Sequence, residues 1–205
     1  MLRPFLDVLY PPQCAACNVP GSGLCEACAR SEPILVHLPT LRVRALGAYA
    51  GALRAAVLAL KDGRRDVAEA LGCYVARFVE RGSVLVPIPT TARRRRVRGL
   101  DGVALVANQA AQRANAHVVC ALEQFAGDTQ RGRTRTQRLA ARGRFACDPA
   151  GVAARRVTLV DDVCTTGSTL RDCADAVREA GGVVEDAVVV AVTKSGESWG
   201  KSMAS

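Results

Sequence analysis

The sequence has few aromatic residues and only two histidines, which limits the kinds of site that it can build. Phe, Trp and Tyr together make up 4% of the 205 residues. Many proteins that bind single-stranded nucleic acid stack bases on aromatic rings, and a platform of that kind is poorly supplied here. His37 lies beside prolines and His117 on a short predicted strand, so we expect both to be structural rather than catalytic.

The chain also lacks a long apolar run. Its apolar stretch 53–60 ends at Lys61, well short of the ~20 residues that cross a bilayer. Residues 1–10 have a single Arg and an interrupted apolar stretch, which predicts a short amphipathic helix rather than a signal peptide. We therefore expect no membrane span.

Acidic residues are outnumbered, and the formal net charge is +9, from 28 Lys and Arg against 19 Asp and Glu. Such a balance favours polyanionic partners, namely nucleic acid, phosphates or pyrophosphate, without choosing among them. Apolar residues make up 49% of the chain. This content and length predict one globular core with a small appendage.

The most informative segment is 157–169, read as V-T-L-V-D-D-V-C-T-T-G-S-T. Val157–Val160 is typical of a buried strand, and we expect it to end at Asp161 and Asp162. A loop of small residues follows at Thr165–Thr169. A predicted helix then runs from about Leu170 to Ala180, where two glycines stop it.

This order of elements predicts a phosphate site. Backbone N–H groups of a small-residue loop and of a helix start converge on one point, and Thr and Ser hydroxyls add donors. The acid pair beside them is suited to accept hydrogen bonds from hydroxyls or to hold hydrated Mg²⁺. Ribose 5-phosphate fits both parts. The alternative is a solvated acid pair followed by an ordinary helix cap.

The common nucleotide loops do not match this segment. A Walker A loop carries Lys before its final Ser or Thr, whereas Gly167 is followed directly by Ser168 and Thr169. The dinucleotide fingerprint requires three spaced glycines, and this loop has one.

The nine cysteines include two C-x-x-C pairs, Cys14 with Cys17 and Cys25 with Cys28. An odd total argues against a disulfide scaffold and, without a signal peptide, favours the reducing cytoplasm. Four thiolates at this spacing predict a closed, structural Zn²⁺ site. A redox C-x-x-C pair is the alternative.

The remaining pattern predicts alternating strands and helices, hence a parallel α/β sheet flanked by helices. Predicted strands lie at 41–49, 84–89, 116–120, 155–160 and 183–193, predicted helices at 51–60, 66–80 and 100–114, and a long polar loop at 124–144. Prolines mark 31–40 as a linker. We therefore predict a zinc-knuckle region at 1–40, the α/β domain at 41–193 and a frayed tail at 194–205.

Five arginines follow the predicted strand that ends in prolines, at positions Arg93, Arg94, Arg95, Arg96 and Arg98. Such a charge run is commonly a solvated face. Its place beyond a strand end predicts contact with phosphates of single-stranded DNA or pyrophosphate, since ligands of parallel sheets bind at that edge.

The segment 157–169 resembles the 5-phosphoribosyl 1-diphosphate (PRPP) motif of type I phosphoribosyltransferases. The whole chain resembles the competence protein F (ComF) family, which has an amidophosphoribosyltransferase-like domain. The resemblance covers about 14–193 and rests on this motif, the four cysteines, Leu60-Lys61-Asp62-Gly63-Arg64, and Val86–Pro89 followed by Arg98-Gly99-Leu100. Asp101-Gly102 stands where the family usually has Asn-Gln, and Arg142 lacks the Asn that usually follows it.

The resemblance implies roles for individual residues. Asp161 and Asp162 would contact the ribose hydroxyls of Mg²⁺-bound PRPP and serve catalysis. The remaining motif residues, Val163, Cys164, Thr165, Thr166, Gly167, Ser168 and Thr169, would bind PRPP, with Thr165–Thr169 around the 5-phosphate. The turn Thr90, Thr91 and Ala92 would face pyrophosphate. Residues 133–144, with Arg133, Arg135 and Arg142, would form a flexible lid. Family members are linked to single-stranded DNA and the competence machinery in natural transformation.

Three functions remain open at this point. The chain is a phosphoribosyltransferase that displaces pyrophosphate from PRPP, a PRPP-binding protein that serves DNA uptake, or a zinc-bearing nucleic-acid adaptor without catalysis. Ammonia transfer from glutamine within this chain is not expected, because no N-terminal Cys nucleophile or glutaminase domain is recognisable. The acceptor base or amine is not visible in the sequence.

Overall fold

A mostly parallel sheet organises the computed structural model, which describes residues 11–89, 101–124 and 144–193. In these residues six strands follow the order β1-β2-β8-β7-β3-β4, and β1 alone is antiparallel to its neighbour. A separate antiparallel pair is formed by β5 and β6. The strands are β1 (Ile34–Leu38), β2 (Leu41–Ala48), β3 (Val84–Pro87), β4 (His117–Val118), β5 (Leu122–Gln124), β6 (Phe145–Cys147), β7 (Arg156–Cys164) and β8 (Val183–Val192).

Helices cover both faces of the sheet. They are α1 (Glu26–Ala29), α2 (Gly51–Lys61), α3 (Arg65–Val75), α4 (Gly102–Ala114) and α5 (Ser168–Glu179), with a 3₁₀ turn at Ala76–Phe78. Helices α2, α3 and α4 share one apolar core with one face of the sheet, and α5 packs in the core on the other face. The predicted α/β architecture is therefore confirmed. No helix in the described ranges is long and apolar enough to span a bilayer.

The two central strands, β7 and β8, are apolar because they are covered on both faces. Val188 and Val190 are fully buried in the core shared with α2–α4, while Val189 is fully buried in the core that contains α5. A strand with both faces covered needs consecutive apolar residues rather than alternation. This explains why the sequence pattern identified both strands.

The four-cysteine segment is part of the main core rather than an appendage. Cys14 and Leu24 are fully buried and belong to the same apolar core as Leu60, Val67 and Leu71. Gly23 lies directly against the start of α3, where an added Cβ would be 2.3 Å from the carbonyl carbon of Asp66. Glycine is therefore required for this close approach. The division into residues 1–40, 41–193 and 194–205 stays a prediction.

The predicted linker over 31–40 is wrong between Ile34 and Leu38. These residues form β1, which pairs with β2 in the register Ile34↔Ala45 to Leu38↔Leu41. The prolines at 33 and 39 flank the strand instead of interrupting it. Pro is compatible with the ends of an edge strand, so the linker prediction gave the two prolines too much weight.

Three other boundaries differ from prediction. Strand β7 does not end before the acid pair but continues to Cys164. The flanks of the predicted loop 124–144 form β5 and β6, and the predicted helix 66–80 ends in the 3₁₀ turn. Propensity in three-residue strands is too weak to locate them without their partner.

Candidate phosphate site and four-cysteine cluster

Strand β7 includes the acid pair because β8 pairs with it as far as Cys164. Asp161 pairs with Val189, and Cys164 pairs with Val192 at the end of β8. Beyond this point Thr193 N–H donates to the carbonyl of Cys164 at 3.0 Å. The carboxylates therefore lie on a fixed strand, at the carboxyl end of the parallel sheet where ligands of such folds bind.

Asp161 lies in an environment that opposes its ionisation. Burial, together with the charges of Asp162 and Asp101, raises the pKa of Asp161 to about 8. Hydrogen bonding from Asp162 N–H to Asp161 Oδ1, at 2.8 Å, and the charge of Lys61 act in the opposite direction. When the pKa of a carboxyl group is raised in this way, a cation or a hydroxyl donor at its oxygens stabilises the ionised form.

Lys61 is the cation that the structure provides for the acid pair. Its Nζ lies 3.1 Å from Asp162 Oδ2, and both side chains are partly buried, at 34% and 19% exposure. Sequence reasoning noted Lys61 only within the L-K-x-G-R resemblance and assigned it no role. The ion pair joins the end of α2 to β7, 101 positions apart in sequence, so no local pattern could have revealed it.

The loop after β7 is shaped by one glycine. Gly167 has φ +73°, the left-handed region that favours glycine, and it immediately precedes the first residue of α5. An added Cβ would be 2.7 Å from Leu38 Cδ1, so β1, the strand that prediction missed, covers this loop. The two constraints together exclude a larger residue at the turn.

Hydroxyl groups line the outer side of this loop. Thr165 and Thr166 are exposed, and Ser168 and Thr169 are partly exposed. Thr166 Oγ1 donates to Ser168 Oγ at 3.2 Å and accepts from Ser168 N–H at 3.4 Å. Exposed hydroxyls beside a helix start are the groups on which the predicted phosphate cradle depends, and the cradle stays a prediction.

Cys164 differs from the other motif residues because its side chain is in the core. It is 1% exposed and belongs to the apolar core that contains α5. Burial and the Asp161 charge raise the pKa of Cys164 to about 11, so the thiol stays protonated. Val163 likewise packs against the opposite core. These two residues can reach a ligand only through their backbone.

Asp101 and Gly102 place the start of α4 near the acid pair. Asp101 caps the helix by accepting from Ala104 N–H at 3.3 Å. A Cβ at Gly102 would be 2.9 Å from Leu60 Cδ1, so a larger residue here would require the Leu60 side chain to shift. The residues that differ from the usual Asn-Gln therefore have a packing role.

The four cysteines of the two C-x-x-C pairs come together as the spacing predicts. Their Sγ atoms all lie within 4.8 Å of one another. The Sγ atoms of Cys17 and Cys25 are 3.7 Å apart, and a tetrahedral zinc ion with Zn–S bonds of about 2.3 Å needs sulfur atoms about 3.8 Å apart. Number, type and spacing of these donors fit Zn²⁺.

The electrostatics of the cluster also fit a metal site. Burial opposes ionisation of Cys14, but hydrogen bonds from the N–H groups of Cys25, Cys17 and Ala16 outweigh it and lower the pKa of Cys14 to about 6. Hydrogen bonding to Cys17 and Cys25 raises the pKa of Cys28 to about 12. Thiols packed together in this way share protons until a metal displaces them.

Several predicted site residues lie outside the described ranges. These are the pyrophosphate turn (Thr90, Thr91, Ala92), the arginine run (Arg93–Arg96 and Arg98) and the lid arginines (Arg133, Arg135, Arg142). Arg144, the last residue of the predicted lid, is described and pairs with Asp172 of α5 at 2.9 Å. The roles of the others stay predictions.

Comparison with known proteins adds one sequence relative. The orotate phosphoribosyltransferase of Methanopyrus kandleri is 51% identical over 45 residues, which is 22% of this chain and 25% of that protein. No protein-family model matches. The chain therefore spans about a quarter of the length of this relative.

Solved structures with a similar arrangement include an amidotransferase and a phosphoribosyltransferase. Glutamine PRPP amidotransferase from Bacillus subtilis has a TM-score of 0.44 at 22% identity, covering 60% of this chain and 26% of that one. Hypoxanthine phosphoribosyltransferase from Staphylococcus aureus has a TM-score of 0.33 at 16% identity, covering 65% and 62%. Likenesses at this level carry no argument about what this chain binds.

Proposed function

We propose that this chain is a ComF-like, phosphoribosyltransferase-type protein that binds Mg-PRPP through Asp161–Thr169. The observation that carries the proposal is the acid pair held on β7 next to the left-handed Gly167 and the hydroxyl-lined start of α5. A diol matches the carboxylates, and a terminal phosphate matches the helix start. The short match to an orotate phosphoribosyltransferase supports the same ligand class.

Mg²⁺ fits the acid pair by the chemistry of its donors. The ion is commonly bound through one or two carboxylates together with substrate phosphates. Lys61 Nζ, 3.1 Å from Asp162 Oδ2, supports the proposal that a positive charge is stabilised here. Bound Mg²⁺ would neutralise the pyrophosphate leaving group, while Asp161 and Asp162 would orient the ribose hydroxyls.

Isothermal titration calorimetry with Mg-PRPP tests this proposal. Asp161→Asn combined with Asp162→Asn should weaken binding at least tenfold without unfolding the protein, since hydrogen bonds to charged groups contribute about 1.5–3 kcal/mol each. Asp175→Asn with Glu185→Gln is the matched control, because these carboxylates are 69% and 58% exposed and remain outside the motif. Equal affinity in the two double mutants would show that the acids are only structural.

Pyrophosphate release separates the enzyme from the binding protein. An active phosphoribosyltransferase should release pyrophosphate from PRPP with one of a panel of purine, pyrimidine and amine acceptors. Binding without release on any acceptor supports the alternative, a PRPP-dependent binding protein. Zn²⁺ in Cys14, Cys17, Cys25 and Cys28 is structural in both cases, and a zinc-bearing adaptor that binds no PRPP is the remaining alternative.

Single-stranded DNA is the macromolecular partner that we propose, together with a role in DNA uptake. Support comes from the net charge of +9 and the arginine run 93–98, and from the ComF resemblance. All nine cysteines are unpaired, which supports the cytoplasmic location that we propose.

Replacing Arg93–Arg96 with Ala tests the DNA proposal. Each phosphate contact to single strands contributes about 0.7 to the slope of log K against log salt, so the slope should fall by at most about 3. The loss should be similar for all base sequences, because phosphate contacts carry no base information. An unchanged slope in fluorescence anisotropy titrations would identify the run as a solvated face.

A further inference from the structure

We propose that the four-cysteine knuckle positions Lys61 against the acid pair through Arg64, so that metal binding at the cysteines and PRPP binding at β7 strengthen each other. The inference rests on the proposed PRPP function and extends it to the regulation of that site. Three sets of contacts carry it: those of the knuckle with the α2–α3 turn (residues 62–64), those within the turn, and those of Lys61 with Asp162.

The first set fixes the knuckle to the turn and to the start of α3. Arg64, in the turn, donates from its guanidinium to the backbone carbonyl of Gln13, next to the first metal-ligand candidate. Gly23 packs on the backbone of Asp66 and Val67 without space for a Cβ. Tyr74 Oη of α3 donates to the carbonyl of Leu24 at 3.4 Å. The knuckle is therefore held just before its first cysteine pair and just before its second.

The second set makes the turn itself rigid. Arg64 Nε donates to Asp66 Oδ1 at 3.2 Å, and a second guanidinium nitrogen pairs with Oδ2 of the same carboxylate. Such a two-point pair fixes the plane of the guanidinium. Gly63 takes a φ of +87°, which lets the chain reverse between α2 and α3 within three residues. Arg64 therefore connects knuckle, turn and helix start.

The third set reaches the ligand site. Lys61 is the last residue of α2, three positions before Arg64, and its Nζ lies 3.1 Å from Asp162 Oδ2. A positive charge here offsets the repulsion between two carboxylates and a polyanionic ligand. A knuckle held by its metal keeps the turn in place, and the turn keeps Lys61 at the acid pair. Loss of the metal would release the knuckle and weaken the contacts of Arg64 and Lys61.

Thermodynamic linkage predicts how this arrangement should affect zinc binding. If metal at the cysteines strengthens PRPP binding by some factor, PRPP must strengthen metal binding by the same factor. Couplings between distinct sites in proteins are commonly about 5- to 150-fold. The zinc dissociation constant of the full chain should therefore tighten at least about fivefold when Mg-PRPP is saturating.

The test measures zinc affinity by equilibrium competition with a chromogenic chelator, with and without Mg-PRPP. In wild type we expect the fivefold or larger tightening. In Arg64→Ala and in Lys61→Met, the factor by which Mg-PRPP tightens zinc binding should fall towards one, although Lys61 contacts no cysteine in the described structure. With Mg-PRPP kept at a concentration that calorimetry shows to be saturating for each variant, the Lys61 variant excludes a purely structural effect, since general stabilisation of the fold by PRPP would persist in it.

Arg30→Ala is the matched control. Arg30 follows α1, pairs with Glu26 of the knuckle and is 78% exposed, so its loss changes the same charge near the cysteines while leaving the turn intact. It should keep the wild-type factor. Arg64→Lys, which keeps the charge but lacks the two-point pair, replaces Arg64→Ala if that variant does not fold, and the factor should fall in it as well.

The outcomes separate the two proposals. If wild type does not bind Mg-PRPP, the proposed function fails and this inference with it. If Mg-PRPP binds in calorimetry but leaves the zinc affinity unchanged, only the inference is overturned. It is also overturned if Lys61→Met or the Arg64 variant keeps the full wild-type factor.

Discussion

At the scale of the residue, the chemistry of the candidate site depends on how Asp161 is surrounded. The side chain lies next to Asp162, with Asp101 and Lys61 near enough to affect its ionisation. Burial and the neighbouring carboxylate favour the protonated form of Asp161, and Lys61 favours the ionised form. Because the unfolded chain keeps only the adjacent Asp162 and loses burial, Asp101 and Lys61 as neighbours, the difference contributes to stability as a function of pH.

The sign of this contribution gives the first prediction. The unfolded Asp loses its proton near pH 4, whereas the pKa of Asp161 in the folded protein is raised to about 8. The folded state binds more protons across this window, so the contribution of Asp161 to stability decreases as pH rises from 4 to 8. Asp161→Asn removes that decrease.

Urea unfolding of wild type and Asp161→Asn at pH 5, 6.5 and 8 checks this prediction. The variant should gain free energy of unfolding relative to wild type as pH rises, by at most about 1.4 kcal/mol per pH unit. A difference between the two proteins that is the same at all three pH values would contradict the raised pKa.

At the scale of the element, the knuckle is an integral part of the helical face of the domain. Cys14 and Leu24 are fully buried with residues of α2 and α3. Metal loss should therefore disturb more than residues 11–30. We expect a zinc-free Cys14→Ser, Cys17→Ser protein to lose stability throughout the core of α2 and α3, and not only in the knuckle.

The contact of Gly23 with α3 gives a sharper test of this packing. Gly23→Ala places a Cβ 2.3 Å from a backbone atom that cannot rotate away, so the free energy of unfolding should fall by about 1–3 kcal/mol. Gly82→Ala is the control, since nothing lies within 4 Å of its Cβ and its φ of +74° lies in the left-handed region. Its cost should be limited to backbone strain of about 1–2 kcal/mol. Equal losses in urea unfolding would contradict the tight contact.

How far the elements could be predicted depends on the length of their pattern. The two central strands and α2–α5 are 9 to 13 residues long with periodic or continuous apolar residues, and their positions are confirmed within a few residues. Strand β1 was missed because its proline flanks resemble a linker, and β5 and β6 because three residues carry no periodicity. The extension of β7 through Asp161 depends on hydrogen bonds from β8, which composition does not reveal.

Candidate site residues also differ in how far the sequence alone predicts them. The acid pair, the glycine turn and the four cysteines are contiguous or closely spaced, so their chemistry can be recognised from the chain alone. Lys61 joins Asp162, and Leu38 covers Gly167, only because the fold brings distant segments together. Such contacts have no signature in local sequence.

At the scale of the whole molecule, ligand binding should stabilise the fold as one unit. The acid pair lies on a central strand of the sheet, and β7 contacts helices of both cores. A ligand bound only by the folded state at 100 times its Kd adds about 2.7 kcal/mol. For a domain of this size that corresponds to a rise in Tm of about 5–10 °C.

Thermal unfolding followed by circular dichroism checks this expectation with Mg-PRPP at increasing concentrations. The Tm of wild type should rise with ligand concentration, and that of the Asp161→Asn, Asp162→Asn protein should rise much less at the same concentrations, because its affinity is weaker. A concentration-dependent rise of equal size in both proteins would place the ligand elsewhere on the molecule.

The cap of α4 affects which helix start at this edge of the sheet attracts an anion. Two helices begin near the acid pair, α4 and α5, and the carboxylate of Asp101 already accepts from the first turn of α4. The amide dipoles at the start of α4 are thereby neutralised by the protein's own negative charge. Of these two described helix starts, that of α5 has no side-chain cap, so we expect the terminal phosphate of a ligand to bind at α5 rather than at α4.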